Sequence, residues 1–366
     1  MRFGALAVLA LSASLLLLAP LTADEASGPE SPISNDEQVI LFPTCARTET
    51  GYWKFSIHGW IFELEEGSSW RAGLSGLLSG IAVDDELLEK NPAFEKNFRQ
   101  RLRYFLADNE RGKVIPIDIA GRTVIAEPSG ANGHFIARVS LALDTMDAKA
   151  CEFLEFTART PPGDERGFEG VVQLVPEKGV SVISDIDDTV KVTCVLERRE
   201  MIRNTFYRPF EAVAGMAEAY RKWQAKGAVF HYLSASPWQL YPALSAFLQR
   251  EKFPRGSFSL RNFRLKDRSL FDFLGGSMEY KLGVIDELMK GFPARRFILV
   301  GDSGEKDPEI YGRVARRNPE QVLKVFIRRV AGSDLSEARL EKAFKGVPAS
   351  RWVVFDDPSD LEKFKP

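Results

Sequence analysis

The chain has 366 residues, 45% of them hydrophobic and 11% aromatic, which is enough apolar surface for two domains with a core each and too much for a disordered chain. Its 49 basic residues are balanced by 51 acidic ones, so no overall field draws it to nucleic acid or another polyanion, and any basic surface must be local. Cys45, Cys151 and Cys194 are its only cysteines and form no CxxC pair, which disfavours a structural zinc site.

Residues 1–23 carry Arg2, an apolar run and then small residues ahead of Asp24 and Glu25. This is the pattern of a secretory signal peptide, and it predicts a secreted or periplasmic protein with membrane association left open. The cut after Ala23 is loosely specified, because Leu21 stands where a small residue is usual. An uncleaved N-terminal anchor is the alternative, although the run falls short of the ~20 residues that a span needs. Residues 24–37, acidic and rich in Ser and Pro, read as a flexible leader.

Residues 38–176 are strand-rich and predict a β-sandwich-like domain. Apolar alternation marks strands at 39–42, 52–64, 114–120, 124–127, 134–143, 152–158 and 168–175, separated by turns such as Ala120-Gly121-Arg122. A helix is expected over 92–108, where Phe94, Phe98, Leu102 and Phe105 share one face that covers a sheet edge or face. The low-charge stretch 69–81, with Trp70, Leu74, Leu77 and Ile81, is either a shallow lipid contact or a packed connection. Cys45 and Cys151 either pair, which in the loop-entropy model adds about 4 kcal/mol, or stay as buried thiols. Cys194 reads as packing, since no His stands near it in sequence.

From 177 to 366 strands alternate with helices, the pattern of a parallel sheet covered on both faces. Strands are expected at 180–184, 229–233, 297–300, 322–327 and 352–355. Helices are expected at 210–226, from Pro237 to 250, at 278–290 and at 309–316. The first strand runs Val182-Ile183-Ser184 into Asp185-Ile186-Asp187-Asp188-Thr189. Its two acids at i and i+2 leave the strand end toward the same side. Crowded carboxylates repel unless a cation or a shared proton relieves them, so a divalent metal is the natural partner. Ser234, Lys281, and Gly301-Asp302 with Asp307 stand at other strand ends or helix starts. In open parallel sheets such residues converge outside the carboxyl ends of the strands. Together they are the parts of a phosphoryl-transfer site: a nucleophilic carboxylate, an acid, hydrogen-bond donors, a cation and a metal.

The order and context of these motifs resemble the haloacid dehalogenase superfamily, with its DxDx[TV], strand-end Ser or Thr, Lys, and GDxxxD or near variant. The resemblance implies a haloacid dehalogenase-like Rossmannoid sheet. It also implies that Asp185 is the nucleophile that becomes an aspartyl-phosphate and that Asp187 is the acid that later activates water. Ser234 and Lys281 would bind the phosphoryl group, Ser236 and Lys266 being their rivals, and Thr189 would order the loop. Mg2+ would be held by Asp185, Asp302 and the Asp187 backbone carbonyl, with Asp307 in support. Flanking runs sharpen this: Ser-Asp-Ile-Asp-Asp-Thr-Val-Lys-Val-Thr, Tyr232-Leu233-Ser234-Ala235-Ser236-Pro237-Trp238, Leu260-Arg261-Asn262-Phe263, and 297–311. Over 178–330 the chain is similar to the catalytic domain of the fungal actin-patch phosphatidate phosphatases and their bacterial relatives, kin of the lipins. That implies Mg2+-dependent hydrolysis of phosphatidate to diacylglycerol. Lipid-transfer relatives can lack the catalytic acids, and both are present here.

Too few residues separate Thr189 from Ser234 for a large cap, so the site can meet a lipid headgroup at a membrane surface. The stretch 197–208, with Arg198, Arg199, Arg203 and Arg208 among Met201, Ile202, Phe206 and Tyr207, is either a phosphate-steering and docking segment or an ordinary amphipathic element. The stretch 269–276 either lines an acyl entrance or packs. Arg313, Arg316, Arg317, Arg328 and Arg329 are expected in surface pairs of little individual worth. Two alternatives to a phosphatidate phosphatase stay open: a phosphatase of soluble phosphomonoesters, and a lipid-binding scaffold.

Overall fold

The computed structural model describes residues 30–64, 85–143, 152–263 and 278–365. The expected signal, the stretches 69–81 and 269–276, Cys151 and Lys266 lie outside the described residues.

The first domain is built from strands β1 (Glu37–Phe42), β2 (Thr44–Glu49), β3 (Tyr52–Glu63), β4 (Asp108–Asn109), β5 (Pro116–Ile119), β6 (Arg122–Ile125), β7 (His134–Ala142), β8 (Phe153–Ala158) and β9 (Phe168–Leu174). They hydrogen-bond in the order β1-β3-β2-β9-β8-β5-β6, and β4 and β7 also lie on β3. β2 is the link, antiparallel to β3 and parallel to β9. Alternation along the strands does the packing: in β7, Phe135, Ala137, Val139 and Leu141 are buried while Ile136 and Arg138 face out. These buried residues meet Phe55 and Ile57 of β3, Ile117, Phe156 and Val172 in one hydrophobic core. Each large side chain of that kind contributes about 1.5–3 kcal/mol when fully buried.

Helices α1 (Asp85–Lys90) and α2 (Pro92–Leu102) follow β3 in sequence. α2 starts where Asn91 Oδ1 accepts from the Phe94 amide at 3.3 Å and Pro92 pre-sets the first turn. It ends at Leu102 in one 3-10 turn rather than running on to Asp108. Its buried Phe98 and Leu102, with Phe105 beyond it, do more than cover the β domain. They join a core shared by Phe42, Trp60 and Phe62 of the first domain and by Phe206, Tyr207 and Phe210 of the second.

The second domain holds six strands, β10 (Gly179–Ser184), β11 (Val229–Pro237), β12 (Gly256–Arg261), β13 (Arg295–Asp302), β14 (Val322–Arg328) and β15 (Trp352–Phe355), all parallel in the order β12-β11-β10-β13-β14-β15. Around them lie α3 (Arg198–Ile202), α4 (Met216–Gln224), α5 (Tyr241–Arg250), α6 (Met278–Gly291), α7 (Asp307–Arg317), α8 (Glu337–Phe344) and α9 (Ser359–Glu362). Successive strand residues feed opposite faces. Val182, Ile298 and Val300 pack with Met216, Tyr220 and Trp223 of α4 on one side, where the first domain also lies. Ile183, Phe297 and Leu299 pack with Ile285 of α6 and Ile310 and Val314 of α7 on the other. This is the mixed α/β architecture with a doubly covered parallel sheet that the sequence predicts.

Two element boundaries differ from expectation in ways that matter for the site. The helix expected from 210 begins only at Met216, because the chain before it pairs with the loop after β10: the Val192 amide donates to Glu211 O at 2.9 Å and the Val213 amide to Val190 O at 3.0 Å. The strand expected to stop at 233 continues to Pro237, so Ser234 and Ser236 lie on a strand end and not at a helix start. Among the described residues no helix is long and apolar enough to cross a membrane.

Candidate active site

Asp185 follows the last residue of β10, and its amide extends the ladder to Val300 O of β13 at 2.9 Å. Asp302 ends β13, Asp307 opens α7, and Lys281 lies in the first turns of α6. All four side chains are essentially inaccessible, at 1% exposure or less. Lys281 Nζ donates to Asp185 Oδ1 and Asp307 Oδ1, both at 2.7 Å, and to Glu305 Oε2 at 3.1 Å. Three carboxylates thus hold one ammonium, and a fourth, Asp302, lies against Asp185 and Asp307. Burial pushes the Asp185 carboxyl well above the usual range against the pull of Lys281, and Asp307 and Glu305 add to the rise. Asp302 is raised in the same way, by burial first and then by Asp307 and Asp185. Burial works against the charge of Lys281, but Asp185 and Asp307 hold it well above the ordinary lysine value.

Local geometry makes this packing possible. At Gly301 a β-carbon would lie 2.2 Å from Asp307 Oδ2 and 2.6 Å from the Tyr311 ring, so only glycine lets α7 bring its acid this close. Asp302 Oδ1 accepts from the amides of Gly304 and Glu305 at 2.6 and 3.0 Å, which leaves its other oxygen facing the cluster.

Asp187 points elsewhere. Its Oδ2 accepts from Ser234 Oγ at 2.8 Å and from Ser236 Oγ at 3.0 Å; its Oδ1 accepts from Thr193 Oγ1 at 2.9 Å and lies 2.9 Å from Lys191 Nζ. Burial alone would raise this carboxyl, but Lys191 and the hydroxyls of Ser234 and Thr193 pull it down to about 2. It is therefore an ionised acceptor at neutral pH in this arrangement. Asp188 is a structural member: at φ 52 it turns the chain, and its carboxylate accepts from the amides of Thr193, Cys194 and Val195 at 2.7, 2.9 and 2.7 Å. Those charge-assisted bonds offset the cost of a left-handed residue, about 1 kcal/mol or more.

Every acid and donor expected at the site is therefore brought to it. Ser234 and Ser236 both bond Asp187, so the rivals act as a pair. Thr189 is fully buried, its amide donating to Ile186 O at 3.3 Å and its hydroxyl unpartnered, which puts it behind the loop. Lys191, Thr193 and Glu305 are participants that sequence reasoning missed. The signal for Lys191 was its place four residues after Asp187, and a lone lysine there reads as a solvated charge. Arg328, expected at the surface, sends Nη1 to Asp188 O at 2.7 Å and braces the motif loop. Arg203 and Arg208 of the 197–208 stretch are engaged by Glu200 at 3.0 and 2.6 Å. The Cys194 thiol is raised by burial and by Asp188, and the Cys45 thiol is free and pushed by burial up to about 11, so neither is a poised nucleophile. A cleft of about 970 Å³ between the domains lies apart from the acids, and its Arg47, Lys54 and Arg138 are already paired with Glu49 and Glu127.

The donor set fits a hard divalent cation. Asp185, Asp302 and Asp307 each offer an oxygen within 4.8 Å of the others, and Oδ2 of both Asp185 and Asp302 is buried without a hydrogen-bond partner. A buried anionic oxygen left bare is costly, and a cation would satisfy two of them at once. The carboxylate of Asp187, expected among the metal ligands, is turned to Ser234, Ser236, Thr193 and Lys191 and is not part of this group.

A doubly covered parallel sheet with paired acids, a buried lysine and strand-end hydroxyls at its carboxyl edge defines a phosphoryl-transfer class of site. Residues 180–329 match the family model described as Phosphatidate phosphatase APP1, catalytic domain. Over those residues the chain is similar to the catalytic domain of the phosphatidate phosphatases of this type. Phosphatidate phosphatase APP1 of Saccharomyces cerevisiae is 36% identical over 154 residues, which cover 41% of this chain and 26% of the yeast protein. An uncharacterized protein of Schizosaccharomyces pombe is 30% identical over 263 residues, 70% of this chain and 40% of that protein. The chain thus spans less than half the length of either relative. A putative beta-phosphoglucomutase of Thermotoga maritima aligns over 50% of this chain and 97% of its own at 13% identity, with a TM-score of 0.31, too loose to carry an argument.

Proposed function

We propose that the protein is a magnesium-dependent phosphatidate phosphatase that works through an aspartyl-phosphate. The observation that carries the reading is the division of labour between the two acids: Asp185 has one oxygen held by Lys281 and one buried oxygen bare, whereas Asp187 is wholly engaged by donors. Asp185 attacks phosphorus, and the phosphoryl group moves from the lipid oxygen to its carboxylate. Lys281 and Ser234 hold the phosphoryl oxygens. Ser234 now bonds Asp187; when it turns to the phosphoryl group Asp187 loses one donor and its proton affinity rises, so that it takes the proton carried in on the phosphate monoester monoanion and passes it to the leaving diacylglycerol oxygen. The same carboxylate then takes a proton from the water that opens the acyl-phosphate. Asp185, Asp302 and Asp307 would hold the Mg2+, which when bound neutralises charge on the phosphoryl oxygens.

The lipid assignment draws on the family and on the rim of the site. Leu196 is 46% exposed, and its Cγ lies 3.6 Å from where a β-carbon on Gly304 would stand, beside Asp302. Arg198 and Arg199 are exposed next to it. An apolar side chain beside two arginines suits an anionic lipid surface. Residues 1–23 support a secreted or periplasmic location, and the β-rich domain is read as sandwich-like. Phosphate release from phosphatidate in mixed micelles, compared with a water-soluble phosphomonoester, tests the substrate. Faster turnover of the micellar lipid is expected, and preference for the soluble ester would overturn the lipid assignment.

A further inference from the structure

Arg101 is a buried cation with no acidic partner among the described residues. It belongs to α2 of the first domain, is 7% exposed, and is lowered by burial to about 10, so it keeps its charge at neutral pH. An uncompensated charge at that depth is costly unless its surroundings use it. Its guanidinium lies 3.9 Å from the centre of the Phe210 ring, and Nη1 donates to Thr205 O at 2.9 Å. The same ring receives a second cation, Lys191 Nζ, at 4.9 Å. Lys191 is the residue that, with Thr193 Oγ1 2.5 Å away, sits on Asp187.

A parallel route reaches the same acid. Asn97 of α2 donates to Tyr207 O at 2.9 Å, and Phe98 packs on Tyr207 with ring centres 4.6 Å apart and planes tilted by 36°. These contacts hold the π-turn 203–207, within which Asn204 donates to Thr193 O at 3.2 Å. Thr193 in turn donates to Asp187. One helix of the first domain therefore grips both supports of the Asp187 carboxylate, one through an aromatic ring and one through the backbone.

We propose that Arg101, acting through the Phe210 ring, is a positioning residue for Lys191 and so for Asp187, which makes the first domain a working part of the catalytic centre. The ring's electron-rich faces stabilise both cations, and such contacts strengthen when they are desolvated. Without Arg101 the ring and the π-turn lose their common anchor, and Lys191 loses its fixed seat above the carboxylate. The proposal rests on the assignment of Asp187 to phosphate-ester hydrolysis.

The test uses the full chain with Arg101→Met, which keeps the stem and removes the charge, Phe210→Leu, and Arg101→Lys. In Arg101→Met and Phe210→Leu, kcat for phosphate release should fall about tenfold with KM within about twofold of wild type, and the double variant should be no slower than the slower single one. Arg101→Lys, which restores a cation at the ring, should recover most of the loss. Amide hydrogen exchange in 190–195 and 203–208 should quicken in Arg101→Met while the β10 and β13 amides stay protected. Unchanged exchange in those segments would overturn the proposal, as would a loss of activity that only matches the unfolded fraction, or an additive double variant. A wild type without activity on any phosphomonoester would sink the proposed function, while the exchange comparison would still decide the part played by Arg101.

Discussion

The carboxylates of Asp185 and Asp187 leave the same strand end, yet the protein neutralises them in different ways. Around Asp185, two further acids, Glu305 and Asp307, share the single ammonium of Lys281, Asp302 stands beside them, and two buried oxygens have no protein partner. Around Asp187, one ammonium and three hydroxyls account for both oxygens. The first half is incomplete without a cation and the second is complete without one, which is the asymmetry expected when one acid is the nucleophile beside a metal and the other exchanges protons. The first domain supplies a control. Glu37, Glu63 and Glu110 also gather their oxygens within 4.8 Å, but Glu37 is paired with Lys113 and accepts from the Ser34 amide at 2.7 Å, and the other two are only half-buried. Acid clustering alone does not make a site; buried, bare oxygens distinguish the cluster of Asp185, Asp302 and Asp307.

The comparison breaks most sharply at Asp185. Asp185→Asn should cut phosphate release by roughly 10⁴-fold or more while the network on Asp187 stays intact, and a residual rate near wild type would remove Asp185 from the nucleophile role. Chelation comes next. EDTA should abolish turnover and Mg2+ restore it, and Mg2+ at about a hundred times its Kd should stabilise the wild type by about 2.7 kcal/mol in thermal unfolding. Asp302→Asn should lose that shift, yet the metal-free variant should melt above the metal-free wild type, because a raised, unpaired buried carboxyl is gone. Equal shifts in both proteins would place the cation elsewhere. Asp187→Asn should slow turnover by about 10²- to 10⁴-fold, and it should also destabilise, since Lys191 loses its only carboxylate among the described ion pairs. An unaltered melting curve would show that Lys191 is satisfied by other groups.

A pH effect on stability, silent in turnover, calibrates the burial argument away from the acids. His231 is 2% exposed between Ser257 Oγ at 2.7 Å and Ser181 Oγ at 3.2 Å, and burial depresses it to about 3. Its folded value lies below the unfolded one, so the neutral ring favours folding, fully above pH 6.5. That contribution is lost as pH falls from 6.5 toward 3, by about 1.4 kcal/mol per pH unit. His231→Gln should flatten this part of the stability profile; an unchanged slope would show that burial at this depth costs the charge less than supposed.

Much of this was legible in the sequence because hydrophobic burial writes itself as period. The β-branched run before Asp185 and the stripes of α5 and α6 announce a parallel sheet covered on both faces; the strand ends then locate Ser234 and Asp302, and the start of α6 locates Lys281. β2 was not legible: Thr-Cys-Ala-Arg-Thr-Glu buries only Ala46 and is a strand because β3 and β9 pair with it on either side. β12, Gly-Ser-Phe-Ser-Leu-Arg, hides for a related reason, since Ser257 is buried by bonding His231 and not by being apolar. Lys191 and Arg101 escaped notice because a lysine or arginine reads as solvated until tertiary structure places a ring around it, with an acid beside Lys191 and a backbone carbonyl beside Arg101.

The most direct test of the account is phosphate release from phosphatidate micelles by the full chain, with and without Mg2+, in wild type and Asp185→Asn side by side. The account predicts release that requires Mg2+ in the wild type and falls to background in the variant. Release that survives in Asp185→Asn, or that proceeds undiminished in EDTA, would contradict it.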